Sequence, residues 1–182
     1  MNHEVSDAEG TLLSLVERAQ PVTVYEISKI YRDSPVTHFG TSKGKLYPMV
    51  RRLKELGLLK AQAQEGDKRK TEHLRCTKEG VAALRHWVGR IDQAHALLDD
   101  PLRTRIQSLH LLSTQEQIEW LEGVADAMRA KLQEVEDYVA NVELPRVEIV
   151  LDHVRTTSSA RLEWIERTIR FLVDHHKDIE TD

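Results

Sequence analysis

Ten lysines and arginines lie between Ser42 and Arg75, at positions 43, 45, 51, 52, 54, 60, 68, 69, 70 and 75, against four acids at 55, 65, 67 and 72. The local charge is +6 in a chain whose formal total is −4. Cations gathered on one segment of an acidic protein are the electrostatic footprint of a polyanion, and phosphate is the anion such a face suits. Among them Arg51 carries a planar fork matched to a guanine edge, whereas the lysines act as point charges suited to phosphates.

Other chemistry finds less support. Nine histidines invite a metal, yet His175 and His176 are adjacent, and neighbours on a helix point about 100° apart. His86, His95, His110 and His153 are isolated, and no HExxH or paired-cysteine motif occurs. No glycine-rich phosphate loop is present, and Ser158-Ser159 has no nearby base. The acids Glu134, Glu136 and Asp137 have the spacing of a solvated helix face. The lone Cys76 excludes an intrachain disulfide and is expected to be a small buried apolar residue. The sequence therefore predicts no metal, no cofactor and no catalysis.

The cations need elements to hold them, and the stretch His38–Cys76 supplies these. It reads HFGTSKGKLYPMVRRLKELGLLKAQAQEGDKRKTEHLRC. Leu46, Met49, Val50, Leu53 and Leu56 recur at three- and four-residue spacing and share a buried helix face. Gly44, Tyr47, Pro48, Arg51 and Glu55 fall opposite, with Lys45 and Arg52 on one flank and Lys43 and Lys54 on the other. Pro48 lacks an N–H and presses on the carbonyl four residues back, at Gly44, which predicts a kink or an irregular first turn. Gly57 is a C-cap signal. LLKAQAQ and TEHLRC then read as two strands joined by the basic turn EGDKRK, and Thr77 caps the next helix. A helix followed by a basic hairpin is the sequence form of a winged helix-turn-helix.

At these residues the chain resembles the PadR family of bacterial transcription regulators. The resemblance is carried by VYEISKIY (residues 24–31), GTSKGKLYPMVRRLKELGLL (40–59), the basic hairpin and LRCTKEGVAAL (74–84), and covers roughly the first ninety residues. Where this chain has Val24 the family commonly has glycine. The resemblance implies a second helix whose N-terminus, near Gln20, Val22 and Thr23, meets a phosphate through exposed N–H groups. It also implies release of DNA on sensing small molecules, often aromatic acids or drugs. Trp87, Trp120, His153 and Trp164 are the candidates to line a cavity for such an effector, the alternative for each being plain core.

The remaining chain supplies the frame. Ser6 and Glu9 form a capping box opening a helix to about Ala19, with Leu12, Leu13, Leu15 and Val16 inward. Thr23 caps Val24–Tyr31, where Ile27 and Ile30 face in, and Asp33-Ser34-Pro35 turns the chain toward Phe39, an apolar anchor. A further helix from Thr77 to roughly Gln93 is expected to set Val81, Leu84, Trp87, Val88 and Ile91 along one side. Asp99-Asp100-Pro101 marks a restart, an acidic cap before a proline. The charge also reverses there: residues 1–92 carry +4 and residues 93–182 carry −8. After a short helix with Leu102, Ile106 and Leu109, a second capping box at Ser113 and Glu116 opens a long helix. Its Ile118, Leu121, Ala125, Met128, Leu132, Val135, Val139 and Val142 alternate spacings of three and four, as in a coiled-coil seam. Pro145 interrupts, and a last helix follows with Leu151, Val154, Leu162, Ile165, Ile169 and Leu172, its heptad slipping around Thr156–Ala160.

With 31% charged and 5% aromatic residues, the composition suits long helices. Apolar runs reach only four or five residues, far short of a membrane span. No leader pattern opens the chain, so a cytoplasmic location is expected. The fold class expected is mainly α with a small β-hairpin, in two domains. Residues 1–93 form a winged helix-turn-helix for DNA binding. Residues 99–182 form a C-terminal antiparallel helical arm for dimerisation and effector sensing, because two narrow seams cannot build a full core without a second copy. The function expected is a sequence-specific, homodimeric regulator of transcription, a ligand-responsive repressor on an inverted-repeat operator. Its DNA contacts would be Thr23, Tyr25, Ser42, Lys43, Lys45, Tyr47, Arg51 and, on the flank nearer the protein body, Arg52. Lys68, Arg69 and Lys70 would form the wing tip. The rival is a winged-helix adaptor that binds protein, whose mark would be exposed apolar residues on the outward helix face.

Overall fold

The computed structural model describes residues 4–35, 43–63, 71–92, 95, 100, 102–143 and 145–180. Its contacts cluster into two units, Met1–Leu97 and Leu98–Asp182. The fold is mostly helical with one two-stranded antiparallel hairpin.

The first unit contains α1 (Asp7–Ala19), α2 (Val24–Asp33), α3 (Lys43–Glu55), β1 (Leu59–Ala63), β2 (Glu72–Cys76) and α4 (Lys78–Gly89). Both early helices begin with a reciprocal capping box. Ser6 and Glu9 close α1, and Thr23 and Glu26 close α2. Each such cap contributes about 1 kcal/mol by satisfying N–H groups that have no helical partner. The core is built from Leu12, Leu13 and Val16 of α1, Ile27 of α2, Leu46, Val50 and Leu53 of α3, and Leu58, Leu59 and Leu74 around the hairpin. Met49 and Leu56 complete the predicted inner face of α3 at half-buried positions. The helix runs unbroken from Lys43 to Glu55 with Pro48 inside it, so the expected irregular first turn does not interrupt it.

Gly57 ends α3 with φ +71°, in the left-handed region that glycine enters without a Cβ penalty. Its N–H donates to the Lys54 carbonyl (3.0 Å) and that of Leu58 to the Leu53 carbonyl (2.9 Å), the paired bonds of a Schellman end. This turn launches β1. In the hairpin, Leu59 pairs with Cys76, Ala61 with Leu74, and Ala63 with Glu72. Leu59, Ala61, Leu74 and Cys76 thus share the inner face, as the two-residue period of a strand requires. Val22 adds a bridge to Leu74, bonded in both directions (3.2 and 2.8 Å), which ties the start of α2 to the wing.

α4 differs from expectation. It stops at Gly89 rather than near Gln93. Gly80 and Ala83 are its buried residues, with Leu84 and Trp87 half-buried against the core. Val81, Val88 and Ile91 are exposed. The reason is steric. Gly80 lets the first turn of α4 press on the Leu58 backbone, and that contact rotates the helix so its small residues face inward.

The second unit holds α5 (Leu102–Gln107), a 3-10 turn (Leu109–Leu111), α6 (Thr114–Ala140) and α7 (Val147–Glu180). Asp100 Oδ1 accepts from the Leu102 N–H at 2.8 Å, so the restart is capped as the sequence suggested. α6 opens on the Ser113–Glu116 capping box. α7 follows Arg146 (φ +57°) and continues through Thr156–Ala160 without a break. The two helices run antiparallel, as the ion pairs Glu136–Arg155 (2.7 Å) and Arg129–Glu166 (3.4 Å) fix their register. Leu121, Ala125 and Ile165 are buried between them, with Trp120, Val124, Met128, Leu162, Trp164, Ile169 and Leu172 partly so. No described helix is long and apolar enough to cross a membrane.

Candidate nucleic-acid interface

α2 and α3 pack as consecutive helices, and the hairpin follows α3 through the Gly57 turn. On their outward surface Tyr25 is 69% exposed and Tyr47 58% exposed. Both are large rings left in water while every apolar residue of the same helices turns to the core or its margin. Gly44, Lys45, Pro48 and Arg51 are exposed beside Tyr47. The outward face of α3 is therefore one of aromatic, cationic and small residues, with no exposed aliphatic side chain among those described.

Arg51 is held by Glu55 one turn on (Nε to Oε1, 2.8 Å), with both side chains well exposed. The pair raises the Arg51 pKa further, its hydrogen bond to Glu55 being the larger cause. A surface pair of this kind holds the guanidinium only weakly in water. An incoming phosphate or base edge can therefore displace it. Lys54 crosses to Glu72 of β2 (2.8 Å) and links the end of α3 to the returning strand.

The hairpin register adds a feature that the strand sequences alone do not display. Lys60 and Arg75 are direct cross-strand partners, and both lie off the inner face. Like charges placed directly opposite destabilise a ladder, so this arrangement favours a nearby anion. Both cations were countable in the sequence, but only the pairing sets them side by side.

Two of the expected contacts have partners inside the fold. Thr23 is 9% exposed, and its hydroxyl accepts from the Glu26 N–H (3.2 Å) while donating to Glu26 Oε2 (2.9 Å). Its own N–H goes to the same carboxylate at 2.8 Å. The N–H of Val22 is spent on Leu74, and the Gln20 side chain accepts from the Cys76 N–H (2.9 Å) and donates to the Glu17 carbonyl (3.0 Å). The N–H groups of Val22 and Thr23 and the side chain of Gln20 are thus engaged inside the fold. The Glu26 carboxylate already occupies that end of α2, with its pKa lowered chiefly by the Thr23 backbone hydrogen bond. Arg52 is the second case, its Nε lying 2.6 Å from Glu9 Oε1. Lys43 is the first residue of α3. Ser42, Lys68, Arg69, Lys70 and Phe39 lie outside the described residues.

The four effector candidates divide between the units. Trp87 lies over Gly10 of α1, and its indole N–H donates to Asp7 Oδ1 (3.0 Å), a position that fastens α4 to α1. Beside it a recess of about 250 Å³ is lined by Asp7, Trp87, Val88, Arg90 and His95. Trp120 and Trp164 border the core of the second unit, and His153 is exposed on α7. Cys76 is half-buried with its thiol 3.6 Å from the Leu13 carbonyl, and burial pushes its pKa up to about 11. Among the described residues no cluster of histidine, cysteine and acidic side chains is disposed to hold a metal.

Comparison with known proteins bears on this arrangement. No curated protein gives a significant sequence match. Among solved structures, Bacillus subtilis PadR in complex with operator DNA is similar at TM-score 0.76 and 16% identity, covering 92% of this chain and 99% of that one. The same protein in complex with p-coumaric acid gives 0.70 and 16%, covering 90% and 94%. The PadR-like regulator BC1756 from Bacillus cereus gives 0.68 and 17%, covering 94% and 99%. These likenesses are of fold. The sequence itself matches one family model, the transcriptional regulator PadR-like family, over residues 12–86. That span runs from the buried face of α1 through the wing into α4, and over it the chain is similar to the PadR-like family of transcriptional regulators.

Proposed function

We propose that this protein is a sequence-specific DNA-binding regulator of transcription that acts by binding alone, as a homodimer on an inverted-repeat operator, in the cytoplasm. The observation that carries the reading is the outward face of α2 and α3. It exposes Tyr25, Lys45, Tyr47 and Arg51 and no described aliphatic residue, which suits a polyanionic groove and not an apolar protein partner. α3 enters the major groove, Arg51 reads a base edge, and Lys43 and Lys45 meet phosphates together with Ser42. Lys60 and Arg75 at the stem of the wing, and Lys68, Arg69 and Lys70 at its tip, follow the flanking backbone. The solved structure of the Bacillus subtilis relative with operator DNA supports this reading.

The dimer is proposed from the thinness of the second unit. Among the described residues Leu121, Ala125 and Ile165 form the core cluster between α6 and α7, and Val135 and Val139 are also buried on α6, while Ile149, Val150 and Phe171 are exposed on α7. A pair of helices with so narrow a seam gains stability by packing on a copy of itself. A two-fold pair would set its recognition helices about 34 Å apart, one DNA turn, or a multiple of it. Repression relieved by a small aromatic acid is the remaining part of the proposal, supported by the relative solved with p-coumaric acid. Trp87, Trp120, His153 and Trp164 are the residues to substitute in its test.

The experiment is fluorescence anisotropy with a duplex taken from upstream of the chain's own gene, titrated against salt and against p-coumaric acid, alongside sedimentation. The expected result is tight binding by a dimer, weakening linearly in log salt and exceeding binding to sonicated DNA by at least about a thousandfold. Equal affinity for both DNAs, or a monomer, overturns the reading. Capture of protein without any DNA binding would favour the adaptor instead.

A further inference from the structure

Glu9 is the one acid that the described structure buries, at 7% exposure. Each of its carboxylate oxygens has a separate task. Oε2 accepts from the Ser6 N–H (3.0 Å) and the Ser6 hydroxyl (2.9 Å), closing the capping box of α1. Oε1 meets Arg52 Nε at 2.6 Å, reaching from the first turn of α1 to the last turns of α3. Arg52 lies next to Leu53, which is fully buried, and one residue from Arg51, which is fully in water. The pair is thus placed at the seam between the exposed face of α3 and its buried one.

We infer that Glu9 and Arg52 are positioning residues, a strut that sets the roll of α3 about its own axis, and that Arg52 is not a phosphate contact. The inference rests on the DNA-binding reading and refines it. A guanidinium whose Nε is committed to a buried carboxylate is neutralised locally and so displaces no cation condensed on the DNA. Its removal leaves a buried acid unpaired, which perturbs the helix on which Tyr47, Lys45 and Arg51 ride. A rotation of α3 by a few tens of degrees would move Arg51 away from a base edge while leaving the total positive charge of the face almost unchanged. Burial raises the Glu9 pKa more than any one partner lowers it, but the Ser6 hydrogen bonds and Arg52 together outweigh it and hold the carboxyl below its usual range. The strut is therefore charged throughout the neutral range.

The test compares Arg52→Gln, Glu9→Gln and the double variant with Lys45→Ala, each on the upstream duplex and on sonicated DNA across a salt series. Protein concentrations are scaled to the folded fraction. Both single variants should lose at least tenfold in affinity for the upstream duplex and little on sonicated DNA, with the salt slope unchanged. The double variant should be no worse than either single one. Lys45→Ala should instead lower the slope by about one on both DNAs. A merely structural defect, once concentrations are scaled to the folded fraction, would leave both affinities unchanged and overturn the positioning role. If Arg52→Gln reduces the slope by one while Glu9→Gln leaves affinity unchanged, Arg52 is a phosphate contact and the strut is refuted. If the wild-type chain binds no DNA, the functional reading fails by itself. The strut is then decided by a double-mutant cycle on urea unfolding, where additivity of the two single losses overturns it.

Discussion

Replacing Gly80 by alanine is expected to destabilise the first unit, against the general preference of helices for alanine. Gly80 is the third residue of α4. A Cβ built there runs into the Leu58 carbonyl oxygen, with the Leu58 carbonyl carbon at 3.0 Å and its Cα at 3.4 Å. Backbone atoms cannot swing aside as a side-chain tip can, so the first turn of α4 must lift. That turn is held by Thr77, whose N–H donates to the Leu58 carbonyl (3.1 Å) and whose hydroxyl reaches the carbonyls of Gly57 (2.7 Å) and Leu58 (3.2 Å). Overpacking costs roughly 1–3 kcal/mol, and each weakened bond about 1 kcal/mol. The propensity gain from glycine to alanine returns at most about 1 kcal/mol. The net expectation is a loss of about 3 kcal/mol, read as a lower urea midpoint with unchanged slope by far-UV circular dichroism. Gly123 provides the control, lying inside α6 with nothing within 4 Å of its added Cβ. There the same substitution should stabilise by about 1 kcal/mol. A Gly80→Ala protein as stable as the parent would refute the close approach of α4 to Leu58.

Further outcomes follow from single groups. Arg51→Ala should relax discrimination at one base pair by roughly 1–3 kcal/mol, measured with duplexes substituted one pair at a time; a uniform loss on every sequence would make Arg51 a phosphate contact instead. Stability should fall in acid. Glu9 and Glu26 both titrate below their ordinary 4.5 in the folded chain, so the stability they contribute is fully present above about pH 4.5. It is lost as pH drops through the folded values. Melting temperatures recorded from pH 6 to pH 3 should show this limb, shallower in Glu9→Gln; an identical limb in that variant would place the lost protonation elsewhere. Cys76, with its thiol pushed up to about 11, should react with a thiol-specific disulfide reagent at pH 8 only at the rate of local opening. Reaction as fast as that of free cysteine would show that burial does not raise this thiol.

The sequence showed most where one element is enough to set a residue's surroundings. The capping boxes at Ser6 and Ser113, the Gly57 helix end and the inner faces of α1 and α3 depend only on spacing along a helix, and the structure has them all. The inner face of α4 was misread for a physical reason. Val81, Val88 and Ile91 are the bulky apolar residues, and a pattern weighted by bulk turns them inward. The actual face is chosen by where the Leu58 backbone leaves no room, which selects Gly80 and Ala83. Thr23 shows the same limit at the binding surface. The cap at Thr23 was legible from its spacing, but that the Glu26 carboxylate takes both the Thr23 N–H and its hydroxyl was not.

The strut between Glu9 and Arg52 joins residues 43 positions apart, and no periodicity connects them. In sequence Glu9 is half of a capping box and Arg52 is one cation among ten, and each reading is complete without the other. Only packing α1 on the same core as α3, through Leu12, Leu13, Leu46 and Leu53, brings the unused carboxylate oxygen to the guanidinium. The consequence reaches the cationic face. The net +6 between Ser42 and Arg75 already deducts Glu55 and Glu72, the partners of Arg51 and Lys54, but not Glu9, which pairs with Arg52 from outside the segment and lowers the charge available to an anion by one more. Those three differ in how readily they let go. The Arg51 pair is exposed on both sides and opens to any better acceptor, whereas the Arg52 pair has a buried acid that would be stranded. Adjacent arginines of one helix thus differ in how firmly they are held, and the difference is set by the burial of their partners and not by their own residue type.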